Sequence, residues 1–396
     1  MKVPVIIDGI RTPIGKLNGA LQSIEPEDMV AKLLNRIVEK NSLSKEAISE
    51  IIIGHAKQSS DQPNIARLAS LIADIPIETP AYTVHRQCGS GMTAVHCAAQ
   101  QIMCGYGDFI IAGGVESMSN AQYYLRKARR GYNVGNGLLL DPNTESQPRS
   151  QPVDKYGSLT MGYTAENIAE RYNITRKEQD EFAHNSQQKA YNAQMAGRFN
   201  DEIMPIQIKK KKENLWVKND EHPRLSSVET LSKLQAVFKD NGTVTAGNSS
   251  GRNDGGAVLL IADEEKAVSC GLKPMARIIS MASSGVDPAY MGMGPVPASK
   301  LALQRAGLKI EDIGLAEVNE AFASQALACI KELNLNINIV NVNGGAIALG
   351  HPIGCSGARI LITLVHEMRR RKVKYGLATL CIAGGLGCAT VLELIE

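Results

Sequence analysis

Aromatic residues are scarce in this chain. Phe, Trp and Tyr make up 4% of its 396 residues, and there is a single tryptophan. Its core is therefore expected to be built from aliphatic side chains and alanine. No run of about 18 uncharged apolar residues appears, so no membrane-spanning helix is expected. The opening Met1-Lys2-Val3-Pro4-Val5-Ile6-Ile7-Asp8 reads as a strand rather than a secretory leader. Charge of one sign is not in excess: a net +3 is too small to argue for nucleic acid, although basic residues cluster at Arg126 to Arg130 and at Lys209 to Lys212. None of the eight cysteines has C-x-x-C spacing, which fits a reducing, cytoplasmic setting better than a disulfide framework or a metal site. At 396 residues the chain exceeds a usual single core, so two or three subdomains are expected. What the sequence has in quantity is glycine, with 36 residues.

The glycines mark the stretch around which the chain is organised, His85-Arg86-Gln87-Cys88-Gly89-Ser90-Gly91-Met92. Ala81 to Val84 predicts a strand running into Cys88, and Thr93 to Met103 predicts a helix leaving it. A cysteine at a helix N-terminus meets partial positive charge and free N–H groups, which favour the thiolate. Cys88 reads either as a nucleophile or as a core cysteine on a tight turn. The C-terminal third tips the balance to the nucleophile.

Up to residue 118, strand signals (Val3 to Asp8, Ile51 to Ile53, Phe109 to Ala112) alternate with helix signals (Glu27 to Glu39, Ile65 to Ala73). That alternation predicts a mostly parallel sheet covered on both faces. The helix after Cys88 is expected to be buried all round, with Cys97 and Cys104 in the core. From Ser119 to Thr243 the chain turns polar and reads as an inserted lid or substrate-binding subdomain. Its helices are Ala165 to Tyr172 and, after the cap-like Thr175, Glu178 to Met195. The core resumes at Asn253 with a strand from Ala257 to Ile261.

From about Gly271 to Glu396 the chain reads as a second copy of the first part. Ser90-Gly91 and Ala112-Gly113-Gly114 are echoed by Ser356-Gly357 and Ala383-Gly384-Gly385. Equivalent loops of two such halves share one side, which predicts an active site between them at strand carboxyl ends. Three segments of the second copy carry chemistry. Asn319-Glu320-Ala321-Phe322-Ala323 follows the strand-like Leu315 to Val318. His351 sits in the glycine-rich loop Asn343 to Pro352 with its ring accessible. Cys381, in Cys381-Ile382-Ala383-Gly384-Gly385-Leu386-Gly387, ends a buried strand.

Together these segments resemble the thiolase family along nearly the whole chain. The resemblance is carried by Gln87 to Gly91, Gly113 to Ser119, Met161 to Asn167 and Gly242 to Gly251 with Asn253-Asp254-Gly255, then by Asn319 to Ala323, Gly344 to Arg359 and Cys381 to Gly387. It implies an α/β fold of two duplicated halves forming a five-layered α-β-α-β-α core, with an inserted coenzyme A-binding loop domain. The N-terminal half is then 1–118 and 244–270, the loop (lid) domain 119–243 and the C-terminal half 271–396. No permanently bound cofactor and no metal are implied. Coenzyme A and acetyl-CoA are the expected substrates, and a homo-oligomer, dimer or tetramer, the expected state.

The activity implied is acetyl-CoA C-acetyltransferase, the reversible condensation of two acetyl-CoA to acetoacetyl-CoA and CoA, with ping-pong kinetics. By resemblance Cys88 carries the acyl group and His351 takes its proton. Cys381 is the base for carbon–carbon bond making. Asn319 orients a water that, with His351, stabilises the enolate, and the backbone N–H groups of Cys88 and Ala383 form a second oxyanion hole. Arg224 matches a residue near the nucleotide phosphate. Met161, Phe238 and Ser250 match pantetheine contacts, and Met291 and Phe322 the acyl-pocket wall. Lys209 to Lys212 either adds favourable potential for this anionic ligand or is a solvated loop.

Some positions depart from the common pattern. His85 stands where asparagine is usual, Ala383 replaces a frequent glycine, and Leu386 a frequent Gln or Met. Thr160 replaces the histidine of acetoacetyl-specific members, which keeps a degradative 3-ketoacyl-CoA thiolase with longer substrates as the alternative. More remote readings are a non-catalytic coenzyme A-binding scaffold, a ketoacyl-carrier-protein synthase and a dehydrogenase. The last rests on the dinucleotide-like Gly89-Ser90-Gly91-Met92-Thr93-Ala94 with Asp108 beyond it. It gives no role to Cys88, His351 or Cys381.

Overall fold

Runs of Val and Ile build the strands at the centre of the computed structural model, which describes residues 2–209 and 214–395. β1 (Pro4–Arg11) is buried along its whole length. α1 (Pro26–Lys40) starts on a proline, with Glu27 and Asp28 in its first turn and Lys40 in its last, as the helix dipole favours. β2 (Glu50–Gly54), α2 (Ile65–Ile72), β3 (Ala81–Val84), α3 (Ser90–Met103) and β4 (Phe109–Ser117) follow. Within the polar stretch lie α4 (Met161–Arg171) and α5 (Arg176–Met195), the latter opened by a capping box between Thr175 and Glu178. The chain then returns through β5 (Asn253–Asp263), β6 (Ala276–Gly285), α6 (Pro295–Ala306), β7 (Leu315–Val318) and α7 (Ala323–Leu333). It ends with α8 (Ile353–Arg371), β8 (Tyr375–Ile382) and β9 (Leu386–Leu394).

These strands form one mixed sheet in the order β7-β8-β9-β6-β1-β5-β4-β2-β3, with the short strand Gly15–Lys16 beside β5. The mostly parallel sheet expected from the sequence is therefore corrected. Only β7–β8, β2–β3 and β2–β4 pair in parallel. β8 and β9 are antiparallel because the three residues Ala383 to Gly385 turn the chain straight back, Gly384 and Gly385 at φ +89° and +84°. β5 enters between β1 and β4 only after the long polar excursion, and it pairs antiparallel with both.

The sheet reads the same outward from the β1–β6 seam. β1-β5-β4-β2 and β6-β9-β8-β7 each run through two antiparallel pairings and then a parallel one. A parallel bridge between Ala316 and Val340 stands where β3 does in the first set. The Ala-Gly-Gly echo, in contrast, is not an equivalence. Ala112-Gly113-Gly114 lies inside β4, whereas Ala383-Gly384-Gly385 lies in the turn after β8.

Three apolar clusters follow from this layout. α1 and α2 pack on one cluster through Met29, Leu33, Ile37 and Ile65. α6 and α7 pack on another through Ala298, Ala302, Cys329 and Ile330. Between them α3 and α8 share a third with residues of both strand sets, among them Ile110, Leu259, Ile278 and Leu380. α3 and α8 approach closely at glycines: a Cβ on Gly91 would lie 2.8 Å from Gly354 O, and one on Gly357 would lie 2.5 Å from Met92 N. α3 is not buried all round, because Cys104 at its end is exposed and Cys97 is half-buried. Among the described residues no helix is long and apolar enough to cross a membrane.

Candidate active site

Cys88 lies where β3 gives way to α3. The turn is tight: Ser90 Oγ accepts the Arg86 N–H at 2.9 Å and donates to Gln87 O at 2.7 Å. Gln87 is held at φ +47°, a conformation unfavourable for a residue with a side chain, at the position just before the sulfur. The Cys88 N–H at the helix terminus favours the thiolate, as expected, but it does not act alone. Burial pushes its thiol up to about 11, outweighing the N–H groups of Ala383 and of Cys88 itself and the charge of Lys57. Cys88 therefore needs a base to lose its proton.

His351 lines the same cavity as Cys88. Its own N–H donates to Asn253 Oδ1 at 3.0 Å, which fixes the loop after Gly350. Ser356 Oγ lies 2.6 Å from Nδ1 and donates its single proton to Pro352 O at 2.9 Å. The bond to Nδ1 must then be donated by the ring, which places the lone pair on Nε2. Nε2 is buried and has no hydrogen-bond partner within the described protein. Burial, with Arg359 adding to it, pushes the imidazole pKa down to about 4, so the ring is neutral and able to accept a proton at neutral pH.

Cys381 is the penultimate residue of β8 and is 1% exposed. Burial and the neighbouring Cys88 and Cys329 hold its thiol well above the ordinary range. Ala383, two residues on, directs its backbone N–H at the Cys88 sulfur.

One cavity of about 180 Å³ is lined by Cys88, His351, Cys381 and Ala383 together with Met161, Phe238, Ser250, Met291 and Phe322. Phe238 and Phe322 meet edge to face, 6.1 Å between centroids, and Ser250 N–H holds Ala321 O at 3.0 Å. Two expected residues are not on this wall. Asn319 is completely buried just after β7; its N–H donates to Thr379 O at 3.0 Å, and neither side-chain atom has a partner among the described residues. Arg224 is exposed, with its guanidinium 3.4 Å from Ala246 O. Of the basic run, Lys209 is exposed, and Lys210 to Lys212 lie outside the described residues.

The glycines of the dinucleotide-like stretch are spent on packing. A Cβ on Gly89 would lie 2.4 Å from Ile382 and one on Gly91 would strike α8, which leaves no open phosphate cradle at this turn. Thr160 serves as the N-cap of α4, accepting from Tyr163 N–H at 3.2 Å.

Sequence reasoning missed the groups that hold the site together. Glu116 is fully buried; it accepts from the backbone N–H of Lys57 at 3.0 Å and of Gly354 at 2.9 Å, and lies 3.3 Å from His55 Nε2. Although burial opposes it, His55 and these donors hold its carboxyl below the usual range. Glu320 accepts from Ser186, Asn341 and the N–H of Ile347, tying the Asn319 segment to the loop that carries His351. Lys57 and Arg252 also line the cavity. The only signal for Glu116 was its place in Gly113 to Ser119; Lys57 and Arg252 carried none.

Two thiols, a neutral imidazole with a free lone pair, and N–H donors around one cavity suit covalent acyl transfer followed by proton abstraction from carbon. Comparison with known proteins agrees. Residues 4–265 match the description "Thiolase, N-terminal domain" and residues 272–394 "Thiolase, C-terminal domain". The chain is 46% identical to an acetyl-CoA acetyltransferase of Syntrophomonas wolfei over 99% of each chain. The crystal structure of the Bacillus anthracis acetyl-CoA acetyltransferase superposes with a TM-score of 0.97 at 43% identity, covering 100% of this chain and 99% of that one. Human mitochondrial 3-ketoacyl-CoA thiolase in complex with CoA gives 0.95 at 41% identity, covering 100% and 98%.

Proposed function

Because the chain belongs to the thiolase family, we propose that it is an acetyl-CoA C-acetyltransferase working through an acyl-Cys88 intermediate. The observation that carries this reading is the meeting of Cys88, His351, Cys381 and Ala383 on one cavity wall. His351 Nε2 takes the Cys88 proton as the sulfur attacks the first acetyl-CoA, and the departing CoA thiolate takes the proton of the Cys381 thiol, which leaves Cys381 as a thiolate. The N–H groups of Cys88 and Ala383 hold the carbonyl oxygen of the acyl group. The Cys381 thiolate then removes a methyl proton from the second acetyl-CoA, the enolate carbon attacks the acetyl carbonyl on Cys88, and the Cys88 sulfur leaves and takes its proton back from His351. A thiolate whose conjugate acid is held well above the ordinary range suits so weak a carbon acid. The resulting enolate oxygen is stabilised by His351 and a water oriented by Asn319, whose amide is otherwise unpartnered. Met161, Phe238 and Ser250 hold pantetheine, Met291 and Phe322 bound the acyl group, and Arg224 meets the nucleotide phosphate from outside the cavity.

The mirrored strand order and the central position of α3 and α8 support the five-layered arrangement of two halves, 1–118 with 244–270 and 271–396, around a loop domain at 119–243. The exposed Val134, Leu138 and Leu139 of that loop domain support a homo-oligomer. Free cysteines throughout the described residues suit a cytoplasmic location.

The test is CoA-dependent disappearance of acetoacetyl-CoA, together with thiol release from acetyl-CoA in the condensing direction. Absence of both overturns the reading in favour of a scaffold, and a change in nicotinamide absorbance overturns it in favour of a dehydrogenase. The likeness to a 3-ketoacyl-CoA thiolase favours one variant of the reading, in which longer 3-ketoacyl chains are also cleaved.

A further inference from the structure

α8 begins directly on the strands that carry the Cys88 half of the site. A Cβ on Gly354, the second residue of that helix, would lie 2.4 Å from Val115 O, and one on Gly114 would lie 2.0 Å from Gly354 O. The end of β2 closes on α3 in the same way, since a Cβ on Gly54 would lie 2.3 Å from the Ser90 carbonyl carbon. Glu116, fully buried, is the side chain placed where these backbones meet. The first N–H groups of a helix find no partner within it, and that of Gly354 donates to Glu116 Oε2 at 2.9 Å. The same carboxylate accepts from the Ala56 N–H at 3.3 Å and the Lys57 N–H at 3.0 Å.

A clamp on Gly354 is a clamp on His351. The same first turn carries Ser356, whose Oγ accepts from His351 Nδ1 at 2.6 Å and so sets the ring. A neutral acceptor would satisfy these N–H groups, and burying a carboxylate is costly, so the charge asks for a reason of its own. Charges act on His351 from two elements: Arg359 of α8 disfavours an imidazolium, and Glu116 of β4 favours it. His55 and Lys57 face Glu116 in turn and keep it ionised. The Glu116 charge also opposes a Cys88 thiolate. It therefore leaves the resting pair neutral and helps once the electrons of the sulfur have passed into the thioester.

We propose that Glu116 is a positioning residue for His351: through Gly354 it fixes the turn that sets the ring, and its negative charge steadies the imidazolium that forms as the Cys88 proton is taken. The proposal rests on the thiolase reading above. In that step the Cys88 S–H bond breaks, the proton passes to His351 Nε2, and the electron pair of the sulfur forms the bond to the acyl carbon. Glu116 takes part in no bond change and neither gains nor loses a proton.

The test follows acetyl adduct formation on Cys88 by rapid quench in the unaltered protein, in Glu116→Gln and in Glu116→Asp, with the dissociation constant of CoA measured for each. Gln keeps the size and one acceptor but removes the charge, whereas Asp keeps the charge on a shorter reach. Glu116→Gln is expected to acylate roughly tenfold to a hundredfold more slowly, the worth of one charged hydrogen bond, with CoA binding unchanged. Glu116→Asp is expected to recover part of that loss. An unchanged rate in Glu116→Gln, an equal loss of CoA binding in it, or a Glu116→Asp variant no faster than it overturns the proposal and leaves the acyltransferase reading standing. Absence of any acetyl adduct in the unaltered protein overturns the reading itself. Hydrogen exchange needs no variant: the Gly354 amide of the unaltered protein is expected to exchange as slowly as the amides of β4. Exchange as fast as that of an unbonded first-turn amide overturns the clamp, so misfolding of either variant leaves the outcome decisive.

Discussion

Cys88 and Cys381 are the same side chain at two turns that face each other, yet the fold treats them differently. Cys88 stands on a strained turn before a helix, half-buried, with the Ala383 N–H and the Lys57 charge directed at its sulfur. Cys381 stands near the end of a strand, 1% exposed, beside two other thiols. Burial raises both; against it Cys88 has the Ala383 N–H, its own N–H and the Lys57 charge, whereas Cys381 has its own N–H. The lesson is that neighbouring donors, more than residue type, set the two thiols apart.

The comparison can be broken most severely at the nucleophile. Cys88→Ala is expected to abolish acyl-enzyme formation, cutting thiolysis by at least about 10⁴-fold. Mass spectrometry of the protein mixed with acetyl-CoA should find no acetyl adduct. Removing the base, as in His351→Ala, should lower the rate of Cys88 acylation by roughly 10²- to 10⁴-fold. Rapid-quench measurement of adduct formation checks this, and an unchanged rate would show that Cys88 ionises without His351.

The pH dependence sharpens the same point. The His351 pKa is pushed down to about 4, so the base should remain competent until pH falls towards that value. An acid limb of kcat/KM near 6.5, the ordinary imidazole value, would contradict the account. Stability carries a matching sign. Above about 6.5 the ring is neutral in both folded and unfolded chains; between there and about 4 only the unfolded chain takes up the proton, so stability falls as pH drops through this window. Denaturant midpoints measured across it in His351→Gln should lose that part of the slope. The smallest effect is expected from Ser356→Ala, which releases the tautomer lock on Nδ1. A fall in kcat of about tenfold is expected, with thermal stability recorded alongside to separate catalysis from folding.

Much of this site was legible in the chain because its parts are local. A strand running into Cys88 and a helix leaving it are set by neighbouring residues, and so are the strand that ends near Cys381 and the glycine loop around His351. The sheet was less legible: strand-helix alternation points to parallel pairing, and only the return of β5 after the polar excursion makes the β1–β5–β4 run antiparallel. The balance at Cys88 is only half legible for a related reason. A helix terminus is visible in sequence, but the burial that outweighs it comes from segments hundreds of residues away. Glu116 and Lys57 share that character, since each acquires its role only when the loops at 55–57, 142–146 and 351–354 come together.

The division of labour between the two thiols is tested most directly by Cys381→Ala mixed with acetyl-CoA. The account expects acetyl-labelled Cys88 and continued exchange of labelled CoA into acetyl-CoA, with acetoacetyl-CoA neither formed nor cleaved. Loss of acyl exchange to the same extent as bond making would contradict it.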